Sequence, residues 1–190
     1  MTRRAFLRTI GSVGLALAVP QIARAQTSDY WTRDRTLWLK RGQSGDEFRV
    51  TYWSGGTIDP SNYVRLCYLL RDVRESQTVQ MDVGLLNILY GIGYWQELLL
   101  GRPAVLILNS GYRSAHTNTT TEGSARNSMH LYGRAADISS AHHSPSQLFQ
   151  MASFFKLGGV GIYPSHVHVD SGPIRYWQRQ GSHPSSLTRR

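Results

Sequence analysis

The chain has 190 residues, a single cysteine, and 21 lysines and arginines against 12 acids, for a formal net charge of +9. One cysteine excludes an internal disulfide, and the length suits one domain with a full core better than two. The basic balance fits an anionic polymer, but the arginines are scattered and do not alternate with aromatic residues as in a single-strand stacking platform, which argues against nucleic acid as partner.

Residues 1–25 read as an export leader. M-T-R-R-A-F-L-R places Arg3 and Arg4 before the apolar run Ile10 to Val19, which is too short to span a bilayer as a stable helix, and Ala23-Arg24-Ala25 supplies a small-x-small cleavage signal. The arginine pair followed by Phe6 and Leu7 resembles the twin-arginine type, so the expectation is export of a folded protein to the periplasm or cell envelope, with no stable membrane insertion after cleavage. Removing the leader takes four arginines and no acids, leaving 165 residues at +5. The domain is expected over 26–180 as a monomer, with the chain reading as a disordered tail from Gln178 onward and wholly so over 181–190.

Leu37 and Leu39, then Phe48, Val50 and Tyr52, alternate with polar residues around Gly42 and Gly45, which predicts a hairpin. Trp38 and Trp53 within it suit a core, or a face for sugar rings. Pro60 opens a predicted helix through Val73, with Tyr63, Leu66, Cys67 and Leu70 on one face and Asp59 or Ser61 as cap. Cys67 reads as core filler. A second helix is predicted from Asp82 to Leu99, and Asp72, Glu75, Asp82 and Glu97 read as solvated or dipole-pairing acids.

After Pro103 a buried strand, A-V-L-I-L-N, delivers S-G-Y-R-S at its end, where loops carry function. Residues 115–127 are polar and read as a loop on a cleft rim, with His116 and Glu122 exposed. His142 and His143 lie before a helix predicted from about Pro145 to Phe155, and His183 lies in the tail; all three read as loop or surface histidines. The glycines of L-G-G-V-G-I-Y-P permit tight turning before the last motif, H-V-H-V-D.

The chemistry gathers in two stretches. His130, Asp137 and His168 offer two imidazoles and one carboxylate, the ligand type and number of a catalytic zinc site with one position left for water. Gly133 lets the chain turn into a short strand over 134–139 and return Asp137 towards His130. As a strand, V-H-V-D points Val167 and Val169 one way and His166, His168 and Asp170 the other. His166 then lies about 7 Å from His168 along the strand, in range to act on water or a developing oxyanion. Arg113 offers a planar fork for a carboxylate, and Asp170 is placed to orient an imidazole. No H-E-x-x-H occurs, which excludes the thermolysin-like class. The expected fold is α+β, a small mostly antiparallel sheet carrying the zinc site with helices on one side.

These motifs in order, S-G-Y-R-S, S-x-H-x-x-G-x-A-x-D, G-G-V-G-x-Y and H-x-H-x-D-x-G followed by R-Y-W, resemble the murein endopeptidase K family (domain of unknown function 882). That family belongs to the superfamily of lysostaphin, D-Ala-D-Ala metallopeptidases and sonic hedgehog. The resemblance covers nearly the whole mature chain. It implies a hedgehog/DD-peptidase-like fold and a peptidase of peptidoglycan peptide cross-links. It also implies Zn2+ on His130, Asp137 and His168, an Arg113 that meets substrate or transition state, and Ser110, Tyr112 and Ser128 in support or in substrate contact. A carboxypeptidase trimming stem peptides and a non-catalytic wall-binding zinc domain are the alternatives.

Overall fold

The alternation in the first motif builds β1 (Arg35–Arg41) and β2 (Glu47–Ser54), an antiparallel pair that buries Leu37, Leu39, Val50 and Tyr52. The computed structural model describes residues 33–179; the leader expected over 1–25 and the tail expected over 181–190, with His183, lie outside them. A two-residue strand, β3 (Thr57–Ile58), pairs with the end of β2 and is too short to leave a sequence pattern.

Helix α1 (Pro60–Leu69) starts as expected, with proline in its first turn and Asp59 accepting from the Asn62 amide at 2.8 Å. It stops short of Val73. The reason is Asp72, whose side chain accepts from the backbone amides of Arg74, Glu75 and Ser114 and so draws the chain out of the helix. Asp72 was expected to be solvated, yet it is 3% exposed, because it ties the end of α1 to the loop after β4. Helix α2 (Val83–Leu100) is capped by Asp82 and ended by Gly101 at φ 65°. Its Leu85, Leu86, Leu89 and Ile92 are fully buried. Truncating one such leucine to alanine is expected to cost about 2–5 kcal/mol.

Then come β4 (Leu106–Ser110), α3 (Ala115–Thr120), a 3-10 turn (Met129–Tyr132), β5 (Ala135–Ser139) and α4 (Pro145–Phe154). The chain closes with β6 (Gly159–Ile162), β7 (Val167–Asp170) and β8 (Arg175–Gln178). Helix α3 corrects the expectation of a loop over 115–127. Ser114 caps it through the Thr117 amide, and the same hydroxyl-rich composition that suggests a loop serves here as a cap. Gln178 also belongs to the sheet, and Arg179 donates its amide to the Ile162 carbonyl at 2.9 Å, which corrects the expectation of a disordered tail from Gln178.

The sheet has eight strands in the order β3-β2-β1-β4-β5-β7-β6-β8. Five of its pairings are antiparallel and two, β1–β4 and β6–β8, are parallel, which makes it mixed but mostly antiparallel. Leu39, Leu108, Ile138, Val160 and Val169 of the strands share one core with Leu66, Leu89, Leu148 and Met151 of α1, α2 and α4. That leaves the opposite face for polar chemistry. Among the described residues no helix is long and apolar enough to cross a membrane.

Candidate metal centre

Asp137 and His168 are paired residues of the antiparallel β5 and β7. Their neighbours Ala136, Ile138, Val167 and Val169 all enter the core, so strand alternation turns the aspartate and the histidine together to the face away from the helices. His130 arrives from the 3-10 turn, where the Ser128 hydroxyl accepts the His130 amide at 3.4 Å. Gly133 ends that turn at φ 64°, and a β-carbon there would lie 2.9 Å from the Gln80 carbonyl oxygen. Only glycine fits that reversal comfortably. It closes the seven-residue gap between His130 and Asp137.

The outer partners of the imidazoles decide what the inner nitrogens do. His130 Nδ1 lies 2.6 Å from the Gly111 carbonyl oxygen, and His168 Nε2 lies 2.9 Å from Asp170 Oδ2. Both partners are acceptors, so these nitrogens carry the protons. The lone pairs of His130 Nε2 and His168 Nδ1 therefore face Asp137 Oδ1, at 3.2 and 3.0 Å, and each other, at 3.1 Å. Three buried acceptors meeting in a triangle repel one another and become favourable around a cation. Ligands about 2.0–2.2 Å from a tetrahedral zinc stand roughly 3.3–3.6 Å apart, so the triangle needs only a slight opening to fit that ion. Two nitrogens and one carboxylate oxygen are donors of zinc's kind, and all three residues are buried.

Asp137 has a second partner. Its Oδ2 accepts from an Nη of Arg113, whose Nε donates to the Ser110 hydroxyl at 2.9 Å and whose other Nη reaches Ser124 at 3.2 Å. Arg113 is thus fixed beside the ligand set. Tyr112 donates its amide to the Leu70 carbonyl at 2.8 Å, and its ring packs against the core. Asp170 is fully buried and accepts from Arg175 at 2.7 and 3.1 Å as well as from His168. Burial opposes its charge, yet the bonds from His168 and Gly172 bring its pKa down to about 2.

His166 lies just before β7, on the wall of a cavity of about 670 Å³ that also exposes His130, Asp137 and His168. It bonds to none of the ligands. Its ring stacks on Tyr163 at 4.5 Å, and Ser165 meets its Nδ1 at 3.2 Å. Burial first, then the charges of His168 and Arg113, lower its pKa against the pull of Asp137. Of the other histidines, His116 and His142 are exposed and His143 meets Gln96 at 3.1 Å; none joins the centre. Cys67 is buried and accepts the Met81 amide. Trp38 donates to Glu47 on the exposed hairpin, and Trp53 packs on the core.

Several cleft residues escape a reading of the sequence as a site. Trp177 of β8 sits 5.2 Å from the His168 ring and donates to the Tyr163 hydroxyl at 3.2 Å. It reaches the cleft because β8 pairs in parallel with β6, a non-local contact; the R-Y-W of the family motif was the available signal. Arg175 was visible in that motif but not as the partner of Asp170.

A sheet that presents one imidazole and a carboxylate beside a second imidazole from the adjoining turn, with both rings held from behind, has the donor set of a metal-dependent hydrolase. The family model described as peptidoglycan L,D-endopeptidase MepK matches residues 29–177, and the chain belongs to that family. The peptidoglycan L,D-endopeptidase MepK of Escherichia coli (strain K12) is 31% identical over 180 residues, which is 90% of this chain and 94% of the relative. The probable peptidoglycan L,D-endopeptidase MepK of Haemophilus influenzae is 31% identical over 177 residues, 90% of this chain and 92% of its own. The zinc D-Ala-D-Ala carboxypeptidase of Streptomyces albus G is 37% identical over 78 residues, 38% of this chain and 30% of its own.

Proposed function

We propose that this protein is a zinc-dependent endopeptidase that hydrolyses peptide cross-links of peptidoglycan. The observation that carries the reading is the acceptor triangle of His130, Asp137 and His168 on a cleft that continues past it on both sides. A carboxypeptidase needs a closed end beyond the scissile bond. An endopeptidase needs room on both sides of it.

In this reading His130 Nε2, Asp137 Oδ1 and His168 Nδ1 would hold zinc, which would supply Lewis acidity for a scissile carbonyl and a lowered pKa for water. His166 takes the proton of the attacking water or donates to the oxyanion, a contribution of roughly a hundredfold or more. Arg113 holds the developing oxyanion or a substrate carboxylate, with Ser110 fixing its fork. Asp170 keeps His168 in the tautomer that offers Nδ1, Ser128 holds the turn that carries His130, and Tyr112 faces substrate in the smaller arm of the cleft. The hedgehog/DD-peptidase-like architecture is part of the same reading.

Peptidoglycan lies outside the cytoplasmic membrane, so the substrate requires export. Export to the periplasm or envelope by a twin-arginine leader over 1–25 follows from that requirement and from the leader's composition, and the domain over 26–180 is read as acting there as a monomer. Digestion of purified peptidoglycan by the zinc-loaded mature protein, with products weighed by mass spectrometry, tests the reading. Loss of cross-linked dimers is the expected result; trimming of monomers alone would transfer the protein to the carboxypeptidases.

A further inference from the structure

The cleft does not end at the ligands. A second cavity of about 190 Å³ shares Arg113, Asp137 and His166 with the larger one and is walled further by Arg41, Arg74 and Gln43. Its charges do not balance. Arg113 is engaged by Asp137. Arg41, at the end of β1, is 2% exposed, yet its guanidinium makes one hydrogen bond, from an Nη to the Leu69 carbonyl oxygen at 2.8 Å. Its Nε is buried with no hydrogen-bond partner, and it forms no ion pair among the described residues.

Burial, and then neighbouring Arg71, bring the Arg41 pKa down to about 10, with Asp72 and Asp46 compensating only in part. The acids that face this wall are committed elsewhere. Asp46 pairs with Arg71 at 2.8 Å, Asp72 is taken by three backbone amides, and Glu75 lies 3.9 Å from His116. Arg74, on the same wall, is exposed, and its side chain joins no hydrogen bond or ion pair among the described residues. A cation taken out of water without a partner is unfavourable, and an anion entering beside it relieves the cost.

We propose that the smaller cavity is a subsite for a free carboxylate of the peptide substrate, received by Arg74 at the rim and by the charge of the buried Arg41 behind it. The inference rests on the reading of the chain as a peptidase. A peptide lying across His130, Asp137 and His168 has one side of its scissile bond in this arm, and the anion that a peptide carries is a carboxylate. It belongs either to the chain's own C-terminus or to an acidic side chain. A guanidinium fork matches a carboxylate in two parallel hydrogen bonds.

The probes are cross-linked muropeptide dimers prepared in three forms: with free carboxylates, amidated at the C-terminus, and amidated at the side-chain acid. Binding of the corresponding monomers by calorimetry, and kcat and KM for the dimers, are compared for the zinc-loaded wild type, Arg74→Gln and Arg74→Lys. Amidation at one of the two positions is expected to weaken binding roughly tenfold and raise KM alike with kcat unchanged. The position that matters identifies the source of the carboxylate. Arg74→Gln should lose most of the preference for acid over amide, with the remainder due to Arg41, and Arg74→Lys should restore part of what is lost. Equal binding of all three forms by the wild type, or discrimination undiminished in Arg74→Gln, overturns the subsite. Arg74-dependent binding without any cleavage keeps the subsite and removes the peptidase reading; cleavage without discrimination does the reverse.

Discussion

His130 Nδ1 donates to the carbonyl oxygen of Gly111 at 2.6 Å, so the first histidine of the centre is aimed by the loop that follows β4. That loop is itself clamped. A β-carbon on Gly111 would lie 2.3 Å from the Leu70 carbonyl oxygen, which already accepts the Tyr112 amide at the end of α1. The end of the first helix thus sets the angle of the His130 imidazole some sixty residues away.

Gly111→Ala therefore acts on the metal without touching a ligand. The new methyl pushes the loop from Leu70 and lengthens the bond to His130. Zinc affinity, read by competition with a chromophoric chelator, is expected to fall about 10- to 100-fold, together with a lower Tm. Unchanged affinity would mean that the loop does not orient His130.

Asp170→Ala removes the acceptor that keeps the proton on His168 Nε2. A loss of about 10- to 100-fold in zinc affinity is expected from the same titration, because the imidazole is then free to rotate and to change tautomer. Arg175 loses its carboxylate partner in this variant but is partly exposed and can be solvated. The Gly159 and Gly172 amides also lose their acceptor, so the metal-free protein should lose stability as well, by about 1–3 kcal/mol.

Zinc should stabilise the fold, since it answers three acceptors that otherwise repel. At free zinc one hundred times its Kd the gain is about 2.7 kcal/mol, visible as a rise in Tm that a chelator reverses. In Asp137→Ala that zinc-dependent rise is expected to shrink or disappear. A full rise in this variant would move the metal elsewhere.

His166→Ala and Arg113→Lys separate chemistry from metal holding. His166 touches no ligand, so its removal should leave one zinc bound and lower kcat roughly a hundredfold. Arg113→Lys keeps a positive charge near Asp137 but loses the fork that spans Ser110, Ser124 and the carboxylate. A kcat lower by about 10²–10³ is expected. Metal analysis beside the kinetics checks both; loss of zinc in His166→Ala would reassign that residue.

Much of this was legible in the sequence because the relevant signals are local. The period-two alternation of V-H-V-D turns His168 from the core, the Pro60 and Asp82 regions start helices by their caps, and Gly133 marks the reversal between two ligands. Apart from α3, missed because hydroxyl-rich residues suit a loop and a cap alike, the misses share one cause, which is pairing between distant segments. Asp72 reads as a surface acid until the Ser114 amide is brought to it, and Gln178 reads as the start of a tail until β8 pairs with β6. Arg41 sits in a strand pattern that foretells burial but not that its charge would lack a partner. Gly111 is visible within S-G-Y-R-S, yet its role depends on the position of Leu70.

The most direct test of the account follows hydrolysis of purified peptidoglycan against bound zinc. The protein is stripped with chelator, reloaded in steps, and each sample is assayed for loss of cross-linked dimers beside wild-type and Asp137→Ala controls. Activity that rises in proportion to zinc up to one ion per chain, and is absent from Asp137→Ala at every loading, is the predicted result. Dimer cleavage that persists in the stripped protein or in Asp137→Ala would contradict a zinc endopeptidase built on His130, Asp137 and His168.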